Sequence, residues 1–201
     1  YRRAAFDRLY DDFFYRRNNE FWKDKAMLKL PALLDSTGML ACGEDLGMIP
    51  ATVPQVMDDL RILSLEIQRM PKSVEETFAH PANYPYLSVC TTSTHDMNPI
   101  RAWWEEDRQV TNDFWHMILG NQGEAPYFCE WWVCRDILVQ HLYSPAMWAI
   151  FQFQDLFSIS DATRRENPHD ERINVPSNTK NSWRYRMHMN MEDLIANDDY
   201  N

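Results

Sequence analysis

Met39-Leu40-Ala41-Cys42-Gly43-Glu44-Asp45-Leu46-Gly47 is a short apolar run that breaks into an acidic turn flanked by glycines. The run predicts a buried strand with its acids at the end. Farther along, Ser93-Thr94-His95-Asp96 follows a second strand-like run, Tyr86 to Thr92. Carboxylates at strand ends are where a barrel enzyme keeps its chemistry. Glycosyl transfer, in turn, needs carboxylates that converge from separate strands.

Outward from these motifs the chain alternates. Phe6, Leu9, Tyr10 and Phe13 recur at helical spacing, so a helix with a wide aromatic stripe is expected over roughly residues 2–27, ahead of Pro31. Val53, Val56, Met57 and Leu60 form the stripe of another helix, with Pro54 tolerated in its first turn. Ile62 to Ile67 reads as a strand, and Pro81, Asn83 and Pro85 mark an irregular loop. Past Asp96 the composition turns helical, including a stretch near Ile100–Glu106. Trp131, Cys134 and Leu138 share one helical face. Met147 to Phe153 is long enough for a further strand, and residues 158–186, rich in Asn, Asp, Arg and Pro, form an extended loop.

Strands alternating with helices imply parallel pairing through crossovers. About four strands are foreseen, against eight in a closed barrel. The expected fold class is therefore α/β, the C-terminal half of a (β/α)8 TIM barrel. Residues 1–201 would form the C-terminal portion of a single catalytic barrel, with the N-terminal half outside this chain.

Lys and Arg total 20 against 30 Asp and Glu, a formal charge of −10. That balance argues against nucleic acid or an anionic membrane as partner, since both need a basic face. A neutral sugar is compatible with it. No apolar run approaches a membrane span. Cys42 and Cys90 fall in the expected buried strands, where a thiol acts as a small apolar group. Cys129 and Cys134 lie five apart, expected on one helix, with no partners to complete a zinc site. Four reduced, structural cysteines suit a cytoplasmic protein, and neither a metal nor a cofactor is expected.

Glu44, partly desolvated at a strand end, could act as a proton donor near neutrality; a capping acid beside a turn is the simpler role. An ionised Asp96 could stabilise positive charge at an anomeric carbon, with His95 binding sugar hydroxyls. The plainer alternative is a loop His beside an N-cap Asp.

Taken together, the segments resemble one family. Cys42 to Pro50 looks like the acid/base segment of the amylomaltases, the 4-alpha-glucanotransferases of glycoside hydrolase family 77. Asn83-Tyr84-Pro85, Thr94-His95-Asp96, Gln154-Asp155, Arg172-Ile173-Asn174-Val175-Pro176 and Trp183-Arg184-Tyr185-Arg186 resemble later family segments, in the family's order. The Arg101–Asp107 and Ser182–Arg186 segments look like the long cytosolic, maltose-processing branch.

The resemblance implies Glu44 as general acid/base, Asp96 as transition-state stabiliser and His95 as a substrate ligand. Asn174 would line the site; Trp103, Trp104 and Trp183, the nearest aromatics in sequence, are the candidates to stack on sugar faces. The family's nucleophile, an Asp in an Arg-x-Asp-His-type segment, has no match here and would lie outside the chain. The implied partners are maltose, malto-oligosaccharides and branched glucan acceptors, processed by retaining transfer with the two carboxyls about 5–5.5 Å apart. A noncatalytic carbohydrate-binding or assembly module, or a retaining α-glucan hydrolase, is the alternative.

Overall fold

The computed structural model describes residues 1–47, 49–181 and 183–198, without the side chains of Phe14 and Tyr15. The chain divides into two compact units. The first comprises Tyr1–Glu66, Pro85–Val89 and Ala146–Trp148; the second comprises Ile67–Tyr84, Cys90–Pro145 and Ala149–Asn201. Its helices and sheet have an α/β fold.

In the first unit, α1 (Arg2–Asp11), a π-helical stretch (Asp12–Arg17) and α2 (Asn18–Asp35) follow one another without a break. The helix thus runs past the expected end near residue 27 and takes Pro31 into its interior. The apolar residues beyond it explain the extension. Leu30 and Leu34 pack, with Trp22, against the cluster of Val53, Met57 and Ile62, and that burial outweighs one lost backbone bond. The aromatic stripe of α1 has no such cover. Phe6 and Leu9 are exposed, and α1 contributes no buried residue.

Helix α3 (Val53–Asp59) forms as expected, with Pro54 in its first turn. It ends in a Schellman closure: Arg61 N–H donates to Asp58 O (3.1 Å) and Ile62 N–H to Met57 O (2.8 Å). Arg61 takes a left-handed φ of 56° to make that turn. The chain then enters β1 (Ser64–Ile67).

The expected Met39–Cys42 strand shrinks to a single parallel bridge between Cys42 and Leu63. Gly43 N–H donates to Leu63 O (2.8 Å), and Leu63 N–H donates to Ala41 O (2.9 Å). With so little ladder to cover it, Cys42 is exposed, contrary to the sequence expectation. On the other flank, Ser64 N–H donates to Leu87 O (3.0 Å) and Met147 N–H to Tyr86 O (2.9 Å). Strands β2 (Ser88–Thr91) and β3 (Trp148–Ala149) complete a three-stranded parallel sheet ordered β1-β2-β3. Side-by-side neighbours that follow chain order are what right-handed crossover connections produce.

The second unit is built on α4 (Ile100–Trp104), α5 (Arg108–Met117) and α6 (Trp131–Leu142). Their core is aromatic. Phe78, Trp103, Trp104 and Phe114 meet edge to face, with Phe78–Phe114 and Trp103–Phe114 centroids 5.1 and 5.2 Å apart. The expected Met147–Phe153 strand shortens to Trp148–Ala149, with Met147 and Ile150 each adding one flanking bond, and the chain from Phe153 forms helix α7 (Phe153–Phe157), which buries Gln154 and Asp155. A short α8 (Met191–Ile195) closes the described chain.

Cys129 precedes α6 instead of sharing it. With Glu130 at the N-cap, Cys129 and Cys134 occupy the two positions of a hydrophobic staple, their sulfurs 3.3 Å apart and buried. Burial pushes the Cys129 thiol well up, and its hydrogen bond to Cys134 holds that thiol lower. No helix among the described residues is long and apolar enough to cross a membrane.

Candidate active site

Each unit carries one of the two acidic segments, and each is anchored differently. In the first unit Glu44 follows the Cys42 bridge and is exposed. Its Oε1 accepts the Leu46 N–H (3.0 Å), a bond within its own turn. Asp45 points inward: it is 4% exposed, and its Oδ1 accepts the Leu65 N–H (3.0 Å) from β1. One acid of the pair therefore anchors the turn and leaves the other free to face solvent.

The flanking glycines have distinct reasons. A Cβ on Gly43 would come within 2.9 Å of the Met57 side chain, so that position is held close to α3. Gly47 adopts φ +83°, a conformation costly for any side chain.

In the second unit the turn between β2 and α4 carries His95 and Asp96, both exposed. Two clamps hold its base. The Arg69 guanidinium donates through Nη2 to Thr92 O (2.9 Å), Ser93 Oγ (2.6 Å) and Asn98 O (2.9 Å). Burial lowers its pKa to about 10, so it remains charged at neutral pH. Fully buried Asp155 accepts Thr92 Oγ1–H (2.6 Å) and the Ile100 N–H that opens α4 (2.8 Å).

The tip is held by a segment from far along the chain. Asn174 Nδ2 donates to Asp96 Oδ1 (2.6 Å), and Asn174 N–H donates to His95 O (3.1 Å). Arg172 bonds Asn174 O through Nε (2.9 Å) and Asp96 O through Nη2 (3.3 Å). Asn181 Nδ2 donates to Asn174 Oδ1 (2.7 Å). His95 Nε2 lies 3.3 Å from Asp96 Oδ2, and the exposed Trp183 ring sits 4.7 Å from the His95 ring.

Behind Arg172, Glu171 is 1% exposed, and neither carboxylate oxygen has a hydrogen-bond partner among the described residues. Burial raises its pKa to about 7 against the opposing pull of Arg101, whose Nη1 is 3.9 Å away.

Of the residues expected to touch substrate in this unit, His95, Asp96 and Asn174 come together. Trp103 and Trp104 do not join them. Trp104 is fully buried and donates its indole N–H to Pro126 O (2.9 Å). Trp103 is packed in the aromatic core with the Arg69 guanidinium 4.8 Å over its ring, so that face is unavailable for a sugar. Arg69, Arg172 and Asn181 escaped the sequence reading as anchors of this turn. Arg172 lies in a recognisable segment, but nothing local in the sequence ties Arg69 or Asn181 to Asp96. No group of three or more His, Cys, Asp or Glu placed to hold a metal occurs among the described residues.

A partly solvated Asp held between a His and an Asn, at a strand end of a parallel α/β fold, is a site suited to stabilising positive charge on a polyhydroxylated substrate. A family model described as 4-alpha-glucanotransferase matches residues 1–191, and the chain belongs to that family. It is 42% identical over 192 residues to the 4-alpha-glucanotransferase DPE2 of Oryza sativa subsp. japonica, an overlap of 96% of this chain and 20% of the rice protein. It is 32% identical over 177 residues to the 4-alpha-glucanotransferase of Chlamydia muridarum, covering 86% of this chain and 33% of that protein. Among solved structures, an amylomaltase from Streptococcus agalactiae in complex with acarbose superposes over 85% of this chain and 31% of its own, with a TM-score of 0.60 at 19% identity. The chain thus spans between about a fifth and a third of these relatives' lengths.

Proposed function

We propose that this chain is the C-terminal part of a longer retaining 4-alpha-glucanotransferase, contributing half of a (β/α)8 barrel and two of three catalytic carboxylates. In this reading Glu44 protonates the departing glucan while a nucleophile from outside residues 1–201 attacks the anomeric carbon. Ionised Glu44 then deprotonates an incoming sugar hydroxyl. Asp96 stabilises the charge that develops at the anomeric carbon, His95 and Asn174 hold hydroxyls, and Trp183 offers an apolar face for stacking. Donors are maltose and malto-oligosaccharides, acceptors include branched glucans, and the four cysteines, none in a disulfide among the described residues, favour the cytoplasm.

The observation that carries the reading is the exposed Asp96 carboxylate, fixed by Asn174 at 2.6 Å and accompanied by His95 at 3.3 Å. Using a sugar in place of water as acceptor demands an oriented, comparatively dry acceptor site.

The test is chain-length redistribution of maltodextrins by the full-length protein. Glu44→Gln is expected to lower transfer by about 10³-fold, and residues 1–201 alone are expected to be inactive. Near-normal transfer by Glu44→Gln would remove the assignment. Release of glucose without redistribution would identify a hydrolase. Turnover that survives loss of both Glu44 and Asp96 would leave a noncatalytic carbohydrate module.

A further inference from the structure

We infer that Asn181 is a positioning residue that sets the hydrogen-bond polarity of the Asp96 site through Asn174. The inference rests on the catalytic reading of Asp96 given above. An ionised carboxylate only accepts, so the Asn174 group 2.6 Å from Asp96 Oδ1 must be the amide nitrogen. With that amide so oriented, Asn174 Oδ1 faces the other way and requires a donor. Asn181 Nδ2 supplies it at 2.7 Å.

The three side chains therefore form a one-way relay, Asn181 to Asn174 to Asp96, in which each amide can take only one orientation. Asn181 itself is tethered at its own end, with Nδ2 also 3.5 Å from Ile173 O and the Asn181 N–H donating to Asn178 O (2.9 Å). Arg172 fixes the Asn174 backbone but leaves its amide free to turn about χ2, so the side-chain polarity depends on Asn181.

The relay predicts an outcome that loss of packing would not give. Asn181→Asp is isosteric, yet at neutral pH it places an acceptor against Asn174 Oδ1. Asn174 then has one amide nitrogen for two carboxylates: it either turns from Asp96 or leaves its Oδ1 against the introduced carboxyl, and in both cases its hold on Asp96 weakens. In the full-length protein, kcat for maltodextrin transfer is expected to fall about 10- to 100-fold, with KM within about threefold. As the pH falls toward the introduced carboxyl's range, protonation restores a donor, and the ratio of variant to wild-type kcat climbs back toward one. Asn181→Ala, which removes the donor without adding an acceptor, is expected to lose less than Asn181→Asp and to show no such recovery.

A kcat for Asn181→Asp within twofold of wild type, or a loss that does not recover at low pH, overturns the inference. Should that variant fail to fold, Asn181→Ser, which retains a donor, is compared with Asn181→Ala: equal kcat values overturn it, and a higher kcat for Ser supports it. Asp96→Asn is assayed in parallel. If it keeps wild-type transfer, the catalytic reading of the site fails. If it is inactive while Asn181→Asp is unaffected, only the relay fails.

Discussion

Two acidic turns, each at a strand end, are held by different means. The Glu44 turn is fixed mainly by backbone, through a parallel bridge at Cys42 and a left-handed Gly47, with one side chain, the buried Asp45 carboxylate, tied to the Leu65 N–H. Among the described residues, the Glu44 side chain bonds only within its own turn, at Leu46. The Asp96 turn is fixed through side chains, with Arg69 and Asp155 at its base and Asn174, Arg172 and Asn181 at its tip. The difference fits the two roles proposed for these acids. A group that must give up and take back a proton gains from freedom to move between partners. A charge stabiliser gains from being pre-organised, because reorienting it during the reaction would cost what it contributes.

The largest effect that could break this contrast comes from the pair Glu44→Gln and Asp96→Asn. Both should reduce transfer by on the order of 10²–10⁴-fold, but a glucosyl donor whose leaving group needs no protonation should rescue Glu44→Gln and not Asp96→Asn. The rate of each variant with that donor, set against its rate with maltodextrin, separates them. Equal rescue would mean the two turns do not divide the work in this way.

Next in size is a consequence of how the Asp96 side is supported. Glu171, adjoining Arg172, has its carboxyl pKa raised from 4.5 to about 7 by burial. Between those values the native state holds a proton that the unfolded chain has released, so stability falls as pH rises from about 4.5 to 7 and stays reduced above. The size is on the order of 3 kcal/mol from the shift alone. Glu171→Gln should flatten that slope and raise stability at pH 8 relative to wild type, as read by denaturant unfolding at pH 5 and 8. An unchanged slope would mean that Glu171 finds a partner which the described residues do not provide.

The Glu44 side has its own support to test. Asp45→Ala removes the acceptor for Leu65 N–H and should cost about 1–3 kcal/mol of stability, together with part of the Glu44-dependent activity. Asp45→Asn keeps an oxygen for that N–H and should cost less. Equal losses would show that the charge of Asp45, and not its acceptor, anchors the turn.

The two regions also differ in how far they could be read from sequence. Around Glu44 the determinants are local: an apolar run, two glycines and the helix of Val53, Val56 and Met57 all lie within one stretch, and α3 and β1 formed where their periodicity placed them. The strand before Glu44 came out shorter than its apolar character suggests, because apolar residues mark burial without fixing how many of them pair. Helix α2 ran through Pro31 because packing of Leu30 and Leu34 overrode a local breaker. Around Asp96 the determinants are distant in sequence. The motif itself was legible, but Arg69, Asp155, Asn174 and Asn181 reach it only through the fold. Trp103 and Trp104 failed as sugar platforms for a related reason: an aromatic pair suits a sugar face and an apolar core equally well, and only burial distinguishes them.

The smallest expected effect concerns the connection that delivers β1 to the Glu44 turn. Arg61 sits at the C′ position of α3 with φ 56°, where a residue carrying a Cβ is strained by roughly 1–2 kcal/mol. Glycine is the residue this Schellman closure favours. Its greater freedom in the unfolded chain offsets part of the gain, by about 0.5–1 kcal/mol. Arg61→Gly should therefore stabilise the protein by up to about 1.5 kcal/mol, seen as a higher denaturant midpoint with unchanged m-value. Because Ile62 and Leu63 follow directly, and Leu63 bonds Ala41 and Gly43 on either side of Cys42, the substitution tests whether the Glu44 turn draws its order from the backbone. A stabilised Arg61→Gly variant with unchanged kcat supports that view. Destabilisation would mean that the arginine side chain contributes more than its backbone conformation costs.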